Sequence, residues 1–148
     1  MKTFTKTLLR VFLGILFLAT AVGKMLDNRG FAEVLSTYQL FPSFTLMPLG
    51  LVISLSEFIL GIFILLNRQI ELCSKTILVI NSFYLVLAIV TNLRGLTIPN
   101  CGCFGVFLAR PMTWNTVAED AILVLVSIVF LFQCSNTEAP YKNASNAS

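Results

Sequence analysis

The chain contains no histidine in its 148 residues, so it lacks the side chain most used as a general base near neutral pH and as a metal ligand. Charge is scarce too: Asp, Glu, Lys and Arg together make up 11% of the sequence, against about a quarter in soluble domains. An ordinary soluble fold is therefore excluded. A net charge of +3 is too small and too scattered for a nucleic-acid surface, and no nucleic-acid partner is expected. Walker-type, dinucleotide-binding and hydrolytic nucleophile signatures are missing as well. There are four cysteines, but a closed zinc site needs four ligands in one place, and with no histidine no zinc site is expected.

What the sequence has in abundance is Leu, Ile, Val and Phe. They gather in runs over residues 8–22, 47–66, 72–90 and 117–134. About 20 helical residues rising 1.5 Å each cover a hydrocarbon core of roughly 30 Å, so each run reads as a spanning helix. The expected fold class is all-α, a polytopic four-helix membrane bundle whose partner is the lipid bilayer. Residues 1–134 form the membrane domain, and residues 135–148 read as a polar, disordered tail whose two N-x-S sequons, at Asn143 and Asn146, are taken as chance. At the other end Lys2, Lys6 and Arg10 precede an apolar run and Ala19-Thr20-Ala21, a pattern resembling a signal-peptide cleavage site. Apolar character continues to Met25 and Leu26, which favours a retained first span.

Basic residues set the orientation. Lys2, Lys6, Arg10, Arg68, Lys75 and Lys142 fall on one side, and Lys24, Arg29, Arg94 and Arg110 on the other. This places both termini in the cytoplasm and the loop over residues 91–115 on the outer, oxidising face. That loop carries Cys101-Gly102-Cys103-Phe104-Gly105. Two cysteines one residue apart with a conformationally free glycine between them can form a tight, labile disulfide suited to exchange. Inert thiols in a turn are the plain alternative. Copper(I) held by the two thiolates, with Met112 as an extra ligand, is a third. Arg94 and Arg110 flank the loop and are candidates for lowering a cysteine pKa, although arginines at this depth also meet lipid phosphates. Cys73 and Cys134 fall near the opposite ends of their helices and read as small buried hydrophobes.

Glu57 lies mid-span, where an ionised carboxylate costs roughly 2.5 to 3.5 kcal/mol on insertion scales. It is expected to be protonated, to pair with Arg10 or Lys24, or to serve as a proton relay or quinone contact. Between the first two spans Phe31, Val34, Leu35 and Tyr38 recur at i, i+3, i+4 and i+7, ahead of Pro42, which predicts a short amphipathic helix at the outer interface near the cysteine loop. Thr116 and Glu119 form a capping-box pattern at the start of the last span, and Asp120 in the same turn suits the helix dipole.

The order Arg10, Leu13-Gly14, Gly23-Lys24, Asp27, Phe31, Tyr38, Pro42, Glu57, Gly61 and Cys101-Gly102-Cys103-Phe104-Gly105 resembles the methylamine-utilisation MauE family, a branch of the DoxX-like four-span membrane proteins, over residues 5–134. The resemblance implies an inner-membrane factor for maturation of the periplasmic, disulfide-rich methylamine dehydrogenase small subunit, acting with a thioredoxin-like protein or on another disulfide-containing client. It implies Cys101 and Cys103 as the exchanging dithiol and Glu57 as the family's membrane glutamate. The link of DoxX-like relatives to quinone reduction makes quinone the one cofactor to consider. A membrane thiol-disulfide oxidoreductase is the enzymatic reading. A non-catalytic scaffold or assembly factor, or a copper-transfer protein, are the alternatives.

Overall fold

The computed structural model describes residues 2–105 and 109–145, with side chains over 4–105 and 109–135. Five helices follow one another: α1 Lys2–Leu26, α2 Asn28–Thr37, α3 Ser43–Leu65, α4 Ile70–Leu93 and α5 Trp114–Ser145. No strand occurs among the described residues. Four segments are long and apolar enough to span a membrane: Phe4–Leu26, Ser43–Leu65, Ile70–Leu93 and Trp114–Ser135, with mean hydropathy of 1.8, 2.2, 2.0 and 2.1. Their outward faces carry Phe12, Val52, Val79, Phe83 and Leu125, an apolar surface that is stable in lipid and not in water. The chain is an all-α, multi-pass membrane protein.

Local chemistry explains the breaks between helices. Asp27 interrupts α1 and caps α2, its carboxylate accepting the Gly30 N–H at 2.8 Å. Pro42, extended at φ −61° and ψ 144°, precedes α3. Asn67 and Gln69 take left-handed conformations in the tight α3–α4 turn, and Gly95 does so just after α4. α1 packs along α3 at small residues, as membrane helices do. A Cβ on Gly14 would lie 2.7 Å from the Leu65 side chain, and one on Gly61 would lie 2.8 Å from Leu18.

The interior divides by height. At one end Leu13, Phe17, Ile64, Ile70, Cys73, Ile77, Phe130 and Cys134 form an apolar core, so Cys73 and Cys134 sit among hydrocarbon as expected. At the other end Val34, Tyr38, Ala88, Ile98, Cys101 and Met112 pack together. The amphipathic helix expected from Phe31, Val34, Leu35 and Tyr38 is α2, whose buried face lies on α3 and under the cysteine loop.

One expectation is corrected. α5 begins at Trp114, and no capping box forms at Thr116. The Thr116 hydroxyl donates to the Pro111 carbonyl at 3.2 Å and accepts the Thr113 N–H at 3.4 Å, while Glu119 turns outward to Arg110. α5 runs past Cys134 to Ser145. Asn146 and the end of the polar tail lie outside the described residues.

Candidate functional site

The cysteine loop is fixed by backbone bonds. The Cys101 N–H donates to the Arg110 carbonyl at 2.8 Å and the Met112 N–H to the Ile98 carbonyl at 2.9 Å, so the two limbs of the loop hold each other. Asn100 spans the turn: its Oδ1 accepts the Gly102 N–H at 3.0 Å and its Nδ2 donates to the Gly105 carbonyl at 3.1 Å. Gly102 and Gly105 both have left-handed φ, 78° and 69°. Gly105 also allows a backbone-to-backbone contact, since a Cβ there would come 2.3 Å from the Gly23 carbonyl oxygen. The CGCFG turn therefore rests on α1 immediately beside Lys24. From the other side α2 holds it, the Tyr38 hydroxyl donating to the Cys101 carbonyl at 2.7 Å.

This scaffold brings the Cys101 and Cys103 sulfurs to 3.2 Å as reduced thiols, within easy closure of a bond of about 2.05 Å. Their proton affinities are split. The Cys101 thiol is lowered to about 6, chiefly by its hydrogen bond with Cys103 and against the effect of burial. Cys103 is pushed far above the ordinary thiol range, first by that bond, then by burial and by the charges of Cys101 and Asp120. The two flanking arginines differ. Arg110 contributes a small lowering of Cys101 and pairs with Glu119 at 2.6 Å. Arg94 instead donates to the Tyr38 carbonyl at 3.2 Å. The Tyr38 hydroxyl is raised by burial and then by the charges of Cys103, Cys101 and Asp120, which keeps it a donor.

Beside the loop a polar cluster is buried at bilayer depth. Lys24 Nζ lies 2.7 and 2.8 Å from the two Glu57 oxygens, with both side chains 2% exposed. Glu57 therefore pairs with Lys24 and not with Arg10. The Tyr84 hydroxyl also donates to Glu57 Oε1, and Thr20 donates to Oε2 at 3.2 Å. Lys24 stands 5.1 and 5.4 Å from the ring centroids of Tyr84 and Phe31. An ion pair with every oxygen satisfied is what makes a buried carboxylate tolerable here.

Two cavities meet at the dithiol. The larger, about 200 Å³, is mostly apolar, with Leu49, Ile53, Phe83 and Leu87 in its wall beside Cys101 and Cys103. The smaller, about 60 Å³, has Thr20, Lys24, Glu57, Asn81, Tyr84 and Asp120 in its wall together with Cys103, set among Leu16, Phe17, Phe104 and Leu123. Among the described residues no three His, Cys, Asp or Glu side chains group as metal ligands.

Tyr84, Thr20 and Asp120 belong to this site, and the sequence reading missed the first two and gave Asp120 only a dipole role. A signal was present. On α4 the buried Ser74, Asn81, Ala88 and Thr91 mark a small and polar stripe that passes Tyr84, and on α5 Asp120, Ser127 and Cys134 recur every seven residues on a buried face. Asn81 and Ser127 meet across that seam at 2.8 Å.

The methylamine utilization protein MauE of Paracoccus denitrificans is 23% identical over 120 residues, covering 81% of this chain and 64% of that protein. Protein TlpB of Flavobacterium psychrophilum is 33% identical over 136 residues, covering 84% of this chain and 35% of that protein. The chain thus spans less than two thirds of either relative. No solved structure matches. The family model described as methylamine utilisation protein MauE matches residues 2–133, and the chain belongs to that family.

Proposed function

We propose that this membrane protein is a thiol-disulfide exchange and maturation factor, with residues 1–134 as the acting unit and Cys101 and Cys103 as its dithiol. The observation that carries this reading is a pair of reduced cysteines whose sulfurs lie 3.2 Å apart in one tight turn. The Cys101 thiolate attacks a partner's disulfide and forms a mixed disulfide. Cys103 then attacks Cys101 and releases the partner's dithiol, and the reverse sequence delivers a disulfide. The basic-residue bias supports cytoplasmic termini with the loop on the periplasmic side, and membership of the MauE family supports an inner-membrane location. The name of the Paracoccus relative suggests methylamine dehydrogenase, or another exported disulfide protein, as client, with a thioredoxin-like protein as exchange partner. Glu57 acts through its ion pair, which seats Lys24 beside the dithiol.

A quinone fits the apolar cavity. Its volume of about 200 Å³ exceeds the roughly 150 Å³ of an apolar cavity that accepts benzene. Phe83 and Leu87 would flank the ring, and Tyr84 and Lys24 would face its oxygens. Bound there, it would supply a two-electron acceptor for the dithiol.

The test is trapping. In cells expressing Cys103→Ser, Cys101 is expected to accumulate in a mixed disulfide with an exported protein, and a membrane-impermeant thiol reagent is expected to label the loop from outside. Both Cys→Ser variants retaining full client maturation would instead favour a scaffold.

A further inference from the structure

We propose that Asp120 accepts the Cys103 proton when Cys103 closes the disulfide, an assignment that rests on the exchange reading above. Two carboxylates are buried below the loop, and they are placed differently. The oxygens of Glu57 are occupied by Lys24, Tyr84 and Thr20. Asp120 is 8% exposed, and among the described residues its carboxylate receives no hydrogen bond and joins no ion pair. It faces both cavities, and Cys103 is the cysteine that faces both with it. The other charged or titratable groups around the smaller cavity, Lys24 from α1, Glu57 from α3 and Tyr84 from α4, are bound to one another. Glu119, next to Asp120 on α5, is turned away to Arg110. Tyr38 and Cys101 face Asp120 only through the apolar cavity.

The order of events calls for such a base. In the resting dithiol the Cys101 thiolate holds the proton on Cys103. Once Cys101 has formed a bond to the partner's sulfur, expelling that partner's other sulfur as a thiolate, its charge is gone. Cys103 can then give its proton to the Asp120 carboxylate. The new thiolate attacks Cys101 Sγ, the Cys101–partner bond breaks, and the second partner sulfur leaves as a thiolate. Two electrons have passed to the partner, whose thiolates are protonated from water, and Asp120 later releases its proton. In the reverse direction Asp120 in its acid form returns the proton to Cys103 as that sulfur departs.

The full chain in phospholipid nanodiscs, reduced and mixed without oxygen with excess 5,5′-dithiobis(2-nitrobenzoate), should release coloured thiolate in two phases, the first from Cys101 attack and the second from Cys103 closure. Asp120→Asn is expected to leave the first phase unchanged and to slow the second by about a hundredfold, the scale of general-base catalysis. Asp120→Glu should restore much of the loss. Loss of negative charge alone acts the opposite way, making Cys103 more acidic and the second phase faster, so an unchanged or faster second phase in Asp120→Asn overturns the proposal. In the unsubstituted chain a carboxylic-acid infrared band should rise before the second release, and its absence overturns the proposal without recourse to a variant. An unsubstituted chain with no second phase at all overturns the exchange reading itself.

Discussion

The four cysteines occupy two ends of one bundle and have opposite characters. Cys73 and Cys134 are packed among Leu13, Phe17, Ile64 and Phe130, and the near contact of Cys73 is the Arg68 carbonyl at 3.6 Å. Cys101 and Cys103 are also shielded, yet they touch each other, lie against a buried ion pair and face two cavities. Cys101 is buried as Cys73 and Cys134 are, so burial alone does not distinguish the pairs. What does is a turn that forces two sulfurs together, with polar groups and open volume beside it.

The strongest way to break the comparison is to exchange the roles of the pairs. Replacing Cys101 or Cys103 by Ser is expected to reduce disulfide exchange to background, whereas Cys73→Ser with Cys134→Ser should keep the exchange rate and lower only the melting temperature. Next in size is the buried ion pair beside the loop. Glu57→Gln leaves Lys24 buried without its counter-charge and should cost about 3 to 5 kcal/mol of stability, read from denaturation in detergent. The paired change Lys24→Met with Glu57→Leu should recover most of that. A smaller effect tests the turn: Gly105→Ala adds a Cβ 2.3 Å from the Gly23 oxygen at a left-handed φ. It should cost about 1 to 3 kcal/mol and separate the sulfurs, seen as slower closure of the disulfide. Smallest is Tyr38→Phe, which loses the bond to the Cys101 carbonyl, worth about 1 kcal/mol, and should leave the dithiol active with a lowered melting temperature.

Much of the frame was legible in the sequence, because a membrane span requires a long apolar run and α2 shows its buried face in the spacing of Phe31, Val34, Leu35 and Tyr38. The cysteine pair was legible for the same local reason. What the sequence left open depends on helix rotation and register. Arg10 and Lys24 both stood on α1 as partners for Glu57, and only the packing of α1 on α3 selects Lys24. Tyr84 and Asp120 reach the site through the register of α4 against α5, and a lone tyrosine or an aspartate in the second turn of a helix that starts at Trp114 carries no local mark of that. The Thr116–Glu119 pattern misled because Pro111 and Arg110 compete for the two side chains, and neither belongs to the four-residue motif.

The central claim is that proximity to Cys103 makes Cys101 a thiolate, and the rate of iodoacetamide alkylation of Cys101 against pH tests it. Because the Cys101 thiol is lowered to about 6, reactivity should be full at neutral pH and fall as the pH drops through about 6. In Cys103→Ser the midpoint should move up toward the ordinary thiol value of about 8.5. A midpoint near that ordinary value in the unsubstituted chain, unmoved by Cys103→Ser, would contradict the account.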